Sequence, residues 1–516
     1  MPNLLLDAGP GSGKTKSLVE GYKWTLTRQL GGFVPTQEQI DFFFELAHTY
    51  GKVPPEKVCF IAFNKEVEKK LNDMSLPGGC RAWTFNGLGA SCIIKKWKHQ
   101  RLDKLRGQKL LQECIGRDFK HLGAAEKRRY LLLLKYIENM KEELLPVTFD
   151  SLEFVRKKYS LQQLPEDPEA NLLLIERLMG KMSIPNGEVE YKDQIWLALR
   201  ALPEPRFDLA FVDEAQDLST LRLEFALKVA KNVVFCGDPY QSINAFAGAD
   251  FGAFEKLRQV CYKTMPLKTC FRCPPNHIDH FNTIRPARIK AFKTNPGPIE
   301  TLELHELPIR VKLFQDSARQ FVDDHEPLPQ EIPPHFPVIE AANFENYMIL
   351  SRTNAKLLRA GLQLLRHDVP TKIVKREDDS VSLVQMLNDF FDEVKQPTTE
   401  ATMVHLDALM NKANAMPYNQ GIALYDKCEC LKVIIKDCKK QQLVPAILEK
   451  LDRSVNGAIR LCTIHKAKGL EAHFIFILFP PIRHEKATTP DQIEQEINLE
   501  FVAESRSQYY KAYIDN

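Results

Sequence analysis

Nowhere in these 516 residues does an apolar run approach the ~18–20 residues needed to span a bilayer. The opening Met1-Pro2-Asn3 also lacks the basic stretch of a secretory leader. Both absences lead to the expectation of an intracellular, cytoplasmic protein with no membrane partner. Charge of one sign is missing too: 70 Lys and Arg face 67 Asp and Glu, a net +3. No global polycation drives binding, so a polyanionic partner has to be met by local patches. Cysteine is present twelve times but without a clean four-ligand spacing. Cys270-x-x-Cys273 and Cys428-x-Cys430 with Cys438 are the only clusters, and reduced, mostly buried thiols are expected. No internal repeat is detectable, which argues against a solenoid.

What is present begins almost at once. Ala8-Gly9-Pro10-Gly11-Ser12-Gly13-Lys14-Thr15 follows the apolar run Leu4-Leu5-Leu6 and precedes the helical Lys16-Ser17-Leu18-Val19. Strand, glycine loop and helix in that order make a phosphate-binding loop. Gly9, Gly11 and Gly13 permit backbone angles that let successive N–H groups curl around a phosphate. Lys14 brings a point charge to the β/γ-phosphates, Thr15 offers its hydroxyl to Mg²⁺, and the helix adds its positive end.

Hydrolysis needs more than a cradle. Phe207 to Val212 is a short apolar strand ending in Asp213-Glu214-Ala215-Gln216-Asp217. Asp213 at that tip suits Mg²⁺, and Glu214 suits orientation and deprotonation of an attacking water. A further strand, Asn232 to Cys236, runs into Gly237-Asp238-Pro239-Tyr240-Gln241-Ser242, placing Gln241 to sense the γ-phosphate. Strands separated by helical stretches predict a parallel α/β sheet. Lys95 to Lys109 is the clearest basic run and includes Trp97. It reads either as a phosphate-tracking groove or as the solvated face of an amphipathic helix.

These segments, taken in order, resemble superfamily 1 helicases of the UvrD/Rep/PcrA type. Phe60-Ile61-Ala62-Phe63-Asn64-Lys65 is like that family's second motif, and Thr84-Phe85-Asn86-Gly87 like its T-F-H-[SG] segment. Val212 to Asp217 is similar to V-D-E-x-Q-D, and Gly237 to Ile243 to G-D-x-x-Q-S-I. Leu267 to Arg272, Arg352-Thr353-Asn354, Thr463 to Glu471 and Phe501 to Arg506 are similar to four segments of the second motor lobe. The resemblance implies an α/β fold of two RecA-like P-loop NTPase lobes with parallel sheets, each carrying a mainly helical insertion. It assigns Arg272 and Arg506 to the γ-phosphate, with Lys14, Asp213, Glu214 and Gln241 completing the catalytic set. Ala8 to Thr15, Gly469 and Glu471 would hold ATP, and Thr15 and Asp213 the Mg²⁺. Phe63, Asn64, Thr84, Phe85, Asn86, Phe246, Arg352, Asn354 and His465 would touch DNA.

Domain boundaries follow: lobe one over 1–88 and 186–265, a helical insertion over 89–185, lobe two over 266–379 and 454–516, and a small second insertion over 380–453. The acid- and proline-rich Asp323 to Pro337 reads as a surface loop. The implied activity is an ATP-dependent helicase or translocase on single-stranded DNA, moving 3′ to 5′. Its partners would be single strands, duplex junctions and repair or replication proteins, at a nucleoid, in a nucleus or in a virus-infected host. The alternative is an ATP-switched DNA-binding subunit that remodels a partner nuclease or a repair or replication complex without unwinding; an RNA motor is a third reading. Departures from the family pattern are the missing glutamine segment before the glycine loop, Asn86 in place of histidine, and Asn244 to Ala249 in place of Y-x-[WF]-R-G-A. With Arg506 so near the last residue, no nuclease domain or docking tail is expected after it.

Overall fold

The computed structural model describes residues 2–98, 100–165, 167–243, 252–323, 328, 332–333, 335–375, 381–416, 418–452, 457–478 and 487–515. The chain divides into two compact units, one of Met1–Gly9 and Gly13–Lys268, the other of Pro10–Ser12 and Thr269–Asn516.

Strands β1 (Asn3–Ala8), β2 (Val58–Ala62), β3 (Arg81–Thr84), β4 (Arg101–Leu102), β5 (Glu188–Val189), β6 (Leu209–Val212), β7 (Val233–Gly237) and β8 (Cys261–Leu267) belong to the first unit. Six of them form one sheet in the order β3-β2-β6-β7-β1-β8, with every pairing parallel. Every residue of β2, β6 and β7 is buried. Strands covered on both faces read as unbroken apolar runs, which is why Leu4-Leu5-Leu6 and Leu209 to Val212 carry no alternation. The edge strand β8 exposes Tyr262, Lys263 and Thr264 instead. Between β3 and β6 the chain is largely helical, with Ala124–Glu142 the longest helix there and β4 pairing with β5 alongside.

The second unit contributes β9 (Thr269–Cys270), β10 (Lys290–Ala291), β11 (Ile299–Glu303), β12 (Tyr347–Ser351), β13 (Thr371–Ile373), β14 (Ile459–Thr463), β15 (Ala472–Leu478) and β16 (Ser507–Asp515). Its six-stranded sheet runs β11-β16-β15-β12-β14-β13, again wholly parallel. Phe314, Tyr347, Phe474 and Tyr510 pack at its centre, with Tyr347 stacked on Phe474 at 4.5 Å. Between β13 and β14 come the helices Leu383–Val394, Thr399–Asn414, Tyr418–Cys438 and Val444–Asp452. They share an apolar cluster through Leu387, Leu406, Leu431 and Leu448, and that cluster includes Leu358 of helix Asn354–Arg366. Two parallel sheets with attached helical groups are the α/β architecture expected of two RecA-like lobes. All twelve cysteines are free, nine of them buried. Among the described residues no helix is long and apolar enough to cross a membrane.

Candidate nucleotide site and motif residues

Strand order decides what converges in the first unit. Because β7 lies between β6 and β1, the tips of three adjacent strands carry Asp213-Glu214, Asp238 to Gln241 and, beyond β1, Gly13-Lys14-Thr15 side by side. The carboxyl ends of parallel strands are where open α/β sheets hold ligands. Gly11 and Gly13 adopt φ +64° and +74°, angles that an L side chain strains to reach. Helix Lys14–Thr27 starts at Gly13 with no side-chain cap and no acidic residue in its first turn, which suits an anion.

Thr15 Oγ1 donates to Asp213 Oδ2. A hydroxyl touching a carboxylate is a hard-oxygen pair of the kind Mg²⁺ prefers, so the residues present fit that ion. Among the described residues there is no group of three or more acidic, His or Cys side chains that could hold a metal by themselves. Burial lowers the Lys14 ammonium, but Glu214, Asp238 and Asp213 outweigh it and hold the pKa above its ordinary value. Asp213 is pushed up to about 6 by burial and by the neighbouring Glu214. Burial also raises Asp238, against the pull of Lys14 and Lys268.

Two residues whose roles the sequence reading left unstated tie the tips together. Gln216 donates to Glu214 Oε2 at 2.5 Å and accepts from the Asp238 N–H at 3.0 Å. Asp238, 1% exposed, accepts from Gln241 Nε2 at 2.7 Å and from the Tyr240 N–H at 3.0 Å. For Asp238 a polar residue directly after an all-buried strand was the available signal, the same one that singled out Asp213; Gln216, four places beyond its strand, carried no such mark. Gly237 allows the approach: a Cβ there would lie 2.6 Å from Gln216 Oε1 and 2.9 Å from its backbone nitrogen.

The residues assigned to DNA in this unit divide by exposure. Phe85 is 2% exposed and packs near Phe225, and the Thr84 hydroxyl caps its helix by accepting from the Gly87 N–H at 3.0 Å. Asn64 caps helix Lys65–Asp73 through the Val67 N–H at 2.9 Å. Phe63 is half-buried under the Arg222 guanidinium at 5.2 Å, and Asn86 donates to the Tyr191 carbonyl at 2.8 Å. Phe246 lies outside the described residues. The basic run is neither one groove nor one solvated face. Arg106 is 4% exposed and pairs with Asp193 at 3.5 Å, while Lys109 pairs with Asp103 and Glu188, and Arg101 with Glu188.

In the second unit two of the residues expected to hold ATP, Arg272 and Glu471, meet each other. Arg272 Nε donates to Glu471 Oε2 at 2.5 Å, and Arg272 Nη1 to the Ser505 carbonyl at 3.1 Å. Arg506 is 1% exposed, its guanidinium donating to the Val502 and Leu470 carbonyls and to Ser505 Oγ. Arg352 forms a forked pair with the buried Glu496, with contacts of 2.8–3.1 Å. Asn354 Nδ2 donates to Asp426 at 2.7 Å. His465 is half-buried, and Gly469 is exposed at φ +85°.

Residues 90–261 match the family profile described as the UvrD/REP helicase N-terminal domain. The match takes in Asp213, Glu214 and Gln241; Lys14 and Thr15 precede it. The chain is also 27% identical over 206 residues to F-box DNA helicase 1 of Gallus gallus, covering 37% of this chain and 20% of that protein. It therefore spans about a fifth of the relative's length. Residues 90–261 thus carry the likeness to the UvrD/REP helicase N-terminal domain, and the ordered motifs before and after that stretch are similar to those of UvrD-like superfamily 1 helicases.

Proposed function

We propose that the chain hydrolyses ATP to move along single-stranded DNA and to separate strands at duplex junctions. The observation that carries this reading is the cluster at three adjacent strand tips: Lys14 ringed by three carboxylates, with Thr15 against Asp213. In this reading Lys14 pairs with the β/γ-phosphates in place of those carboxylates, and the helix N-terminus behind it adds donors. Thr15 and Asp213 would hold Mg²⁺, which when bound supplies charge neutralisation at the γ-phosphate. Glu214 accepts the proton of the attacking water. Gln216 keeps that carboxylate aimed, and Gln241, fixed by Asp238, stands ready to report on the γ-phosphate.

Arg272, Arg506, Gly469 and Glu471 enter as nucleotide contacts on the strength of their motifs. Arg272 would exchange Glu471 for phosphate, a trade of one anion for another. The 3′-to-5′ direction rests on the family resemblance. Phe63, Asn86 and His465 are proposed DNA contacts on the same ground, with partial exposure in their favour.

The deciding measurement is the ATPase rate in Mg²⁺ with and without single-stranded oligonucleotide. Stimulation by the single strand is expected, and a flat response would end the motor reading. Duplexes with a 3′ or a 5′ tail then test direction; ATP turnover without displacement on either would favour the switch over the motor.

A further inference from the structure

In the second unit, helix Pro490–Glu504 runs into β16 through the two-residue turn Ser505-Arg506. Glu504, the last residue of that helix, is 1% exposed. A helix ends on its negative pole, and burial removes the water that would screen a charge there. The last turn of this helix carries no basic residue, and Glu500, one turn back, adds a like charge. A carboxylate set against so many local preferences marks a place where the packing is arranged around it.

Strand β16 supplies what the helix lacks. Lys511, its side chain fully buried, donates to Glu504 Oε2 at 2.5 Å. The Tyr513 hydroxyl lies 2.9 Å from both carboxylate oxygens and 2.9 Å from His280 Nε2, which is itself 3.7 Å from Glu504. Burial and Glu504 raise the Tyr513 phenol above its ordinary pKa, so it stays a neutral donor. Lys511 and Tyr513 stand two apart on one face of the strand, and β16 is paired on both sides, to β11 and to β15. The carboxylate is thereby tied to a strand inside the sheet.

The residues just beyond Glu504 carry the nucleotide assignments. The Ser505 carbonyl accepts from Arg272 Nη1 at 3.1 Å. Arg506 folds back onto the Val502 and Leu470 carbonyls at 2.8 and 3.4 Å, and onto Ser505 Oγ at 2.9 Å. Both arginines assigned to the γ-phosphate therefore depend on the one turn that Glu504 closes.

We propose that Glu504 is a positioning residue: gripped by Lys511 and Tyr513, it fixes the Ser505-Arg506 turn and so sets where the Arg272 and Arg506 guanidinium groups stand for ATP hydrolysis. The inference rests on the ATPase reading above and adds to it a carboxylate that touches no nucleotide.

Steady-state ATPase in Mg²⁺ with single-stranded DNA, paired with affinities for ADP and for a non-hydrolysable ATP analogue, separates positioning from folding. Glu504→Leu with Lys511→Met removes both charges at similar volume, a change that buried ion pairs often tolerate, and Tyr513 keeps His280. Glu504→Gln alone keeps an acceptor for Tyr513. Circular dichroism melting verifies both folds. The double variant is expected to lose about 10- to 100-fold in kcat and to bind the analogue about 10-fold more weakly, with ADP affinity within about twofold of the wild type. Glu504→Gln should fall between the two. Wild-type kcat in the folded double variant overturns the positioning role. Equal losses on ADP and on the analogue overturn it as well, since a general disturbance of the fold gives that result. If the double variant does not fold, Glu504→Gln decides by the same comparison; if neither folds, the carboxylate serves the fold and the proposal is overturned. If the wild-type chain hydrolyses no ATP, the ATPase reading falls and the positioning role with it.

Discussion

Asp213 carries opposed demands in one carboxyl group. Its pKa lies near 6, against an ordinary 3.8, because burial and Glu214 disfavour the charge more than Thr15 and Lys14 restore it. The folded chain thus holds this proton more tightly than the unfolded chain does. The associated stability is complete below about pH 4 and is lost as pH rises through about 6. Two pKa units correspond to about 3 kcal/mol, so at neutral pH the ionised carboxyl burdens the fold. Asp213→Asn should therefore melt higher than the wild type at pH 7.5, with the gap closing toward pH 4.5. The same substitution removes the proposed cation ligand and should lower the ATPase at least ~100-fold. Lys14→Ala tests the neighbouring charge: turnover should vanish while oligonucleotide affinity stays within about twofold, because Lys14 is assigned to phosphate and not to the strand.

Among elements, the all-buried strands were the most legible part of the chain. Leu4 to Leu6, Leu209 to Val212 and Val233 to Cys236 are apolar without interruption, and a parallel sheet covered on both faces demands that composition. The residues at their tips could be read for the same reason, since a carboxylate closing such a strand has few structural uses. Commitments between distant segments could not be read. Nothing in Arg352-Thr353-Asn354 announces Glu496, 144 positions away, or Asp426, 72 away. Nor does the run Lys95 to Lys109 announce that Arg106 will be buried against Asp193. Charge patterns report composition along the chain, whereas ion pairing is decided by packing.

Two substitutions probe these elements. Gly237→Ala would press a Cβ into the Gln216 backbone, costing about 1–3 kcal/mol and parting β7 from the Asp213 turn. ATPase should fall more steeply than the melting temperature. Arg352→Ala would leave the buried Glu496 without its forked partner, a loss of about 3–5 kcal/mol. If Arg352 instead served DNA alone, the fold would be unmoved and only oligonucleotide affinity would change.

At the scale of the molecule, each of the four apolar clusters found among the described residues lies within one unit, two per unit. Separate cores need not melt together, so calorimetry should resolve two transitions in place of one cooperative step. The proposed triphosphate ligands Lys14, Thr15 and Asp213 all belong to the first unit. A non-hydrolysable ATP analogue with Mg²⁺ should then raise the transition of that unit. A ligand that binds only the folded state adds about 2.7 kcal/mol at a hundredfold excess over its Kd. The Lys14→Ala protein should show no such shift, because its glycine loop would lack the charge that holds the phosphates. A shift preserved in Lys14→Ala would mean that the analogue binds elsewhere, and the cluster at the three strand tips would lose its claim to the nucleotide.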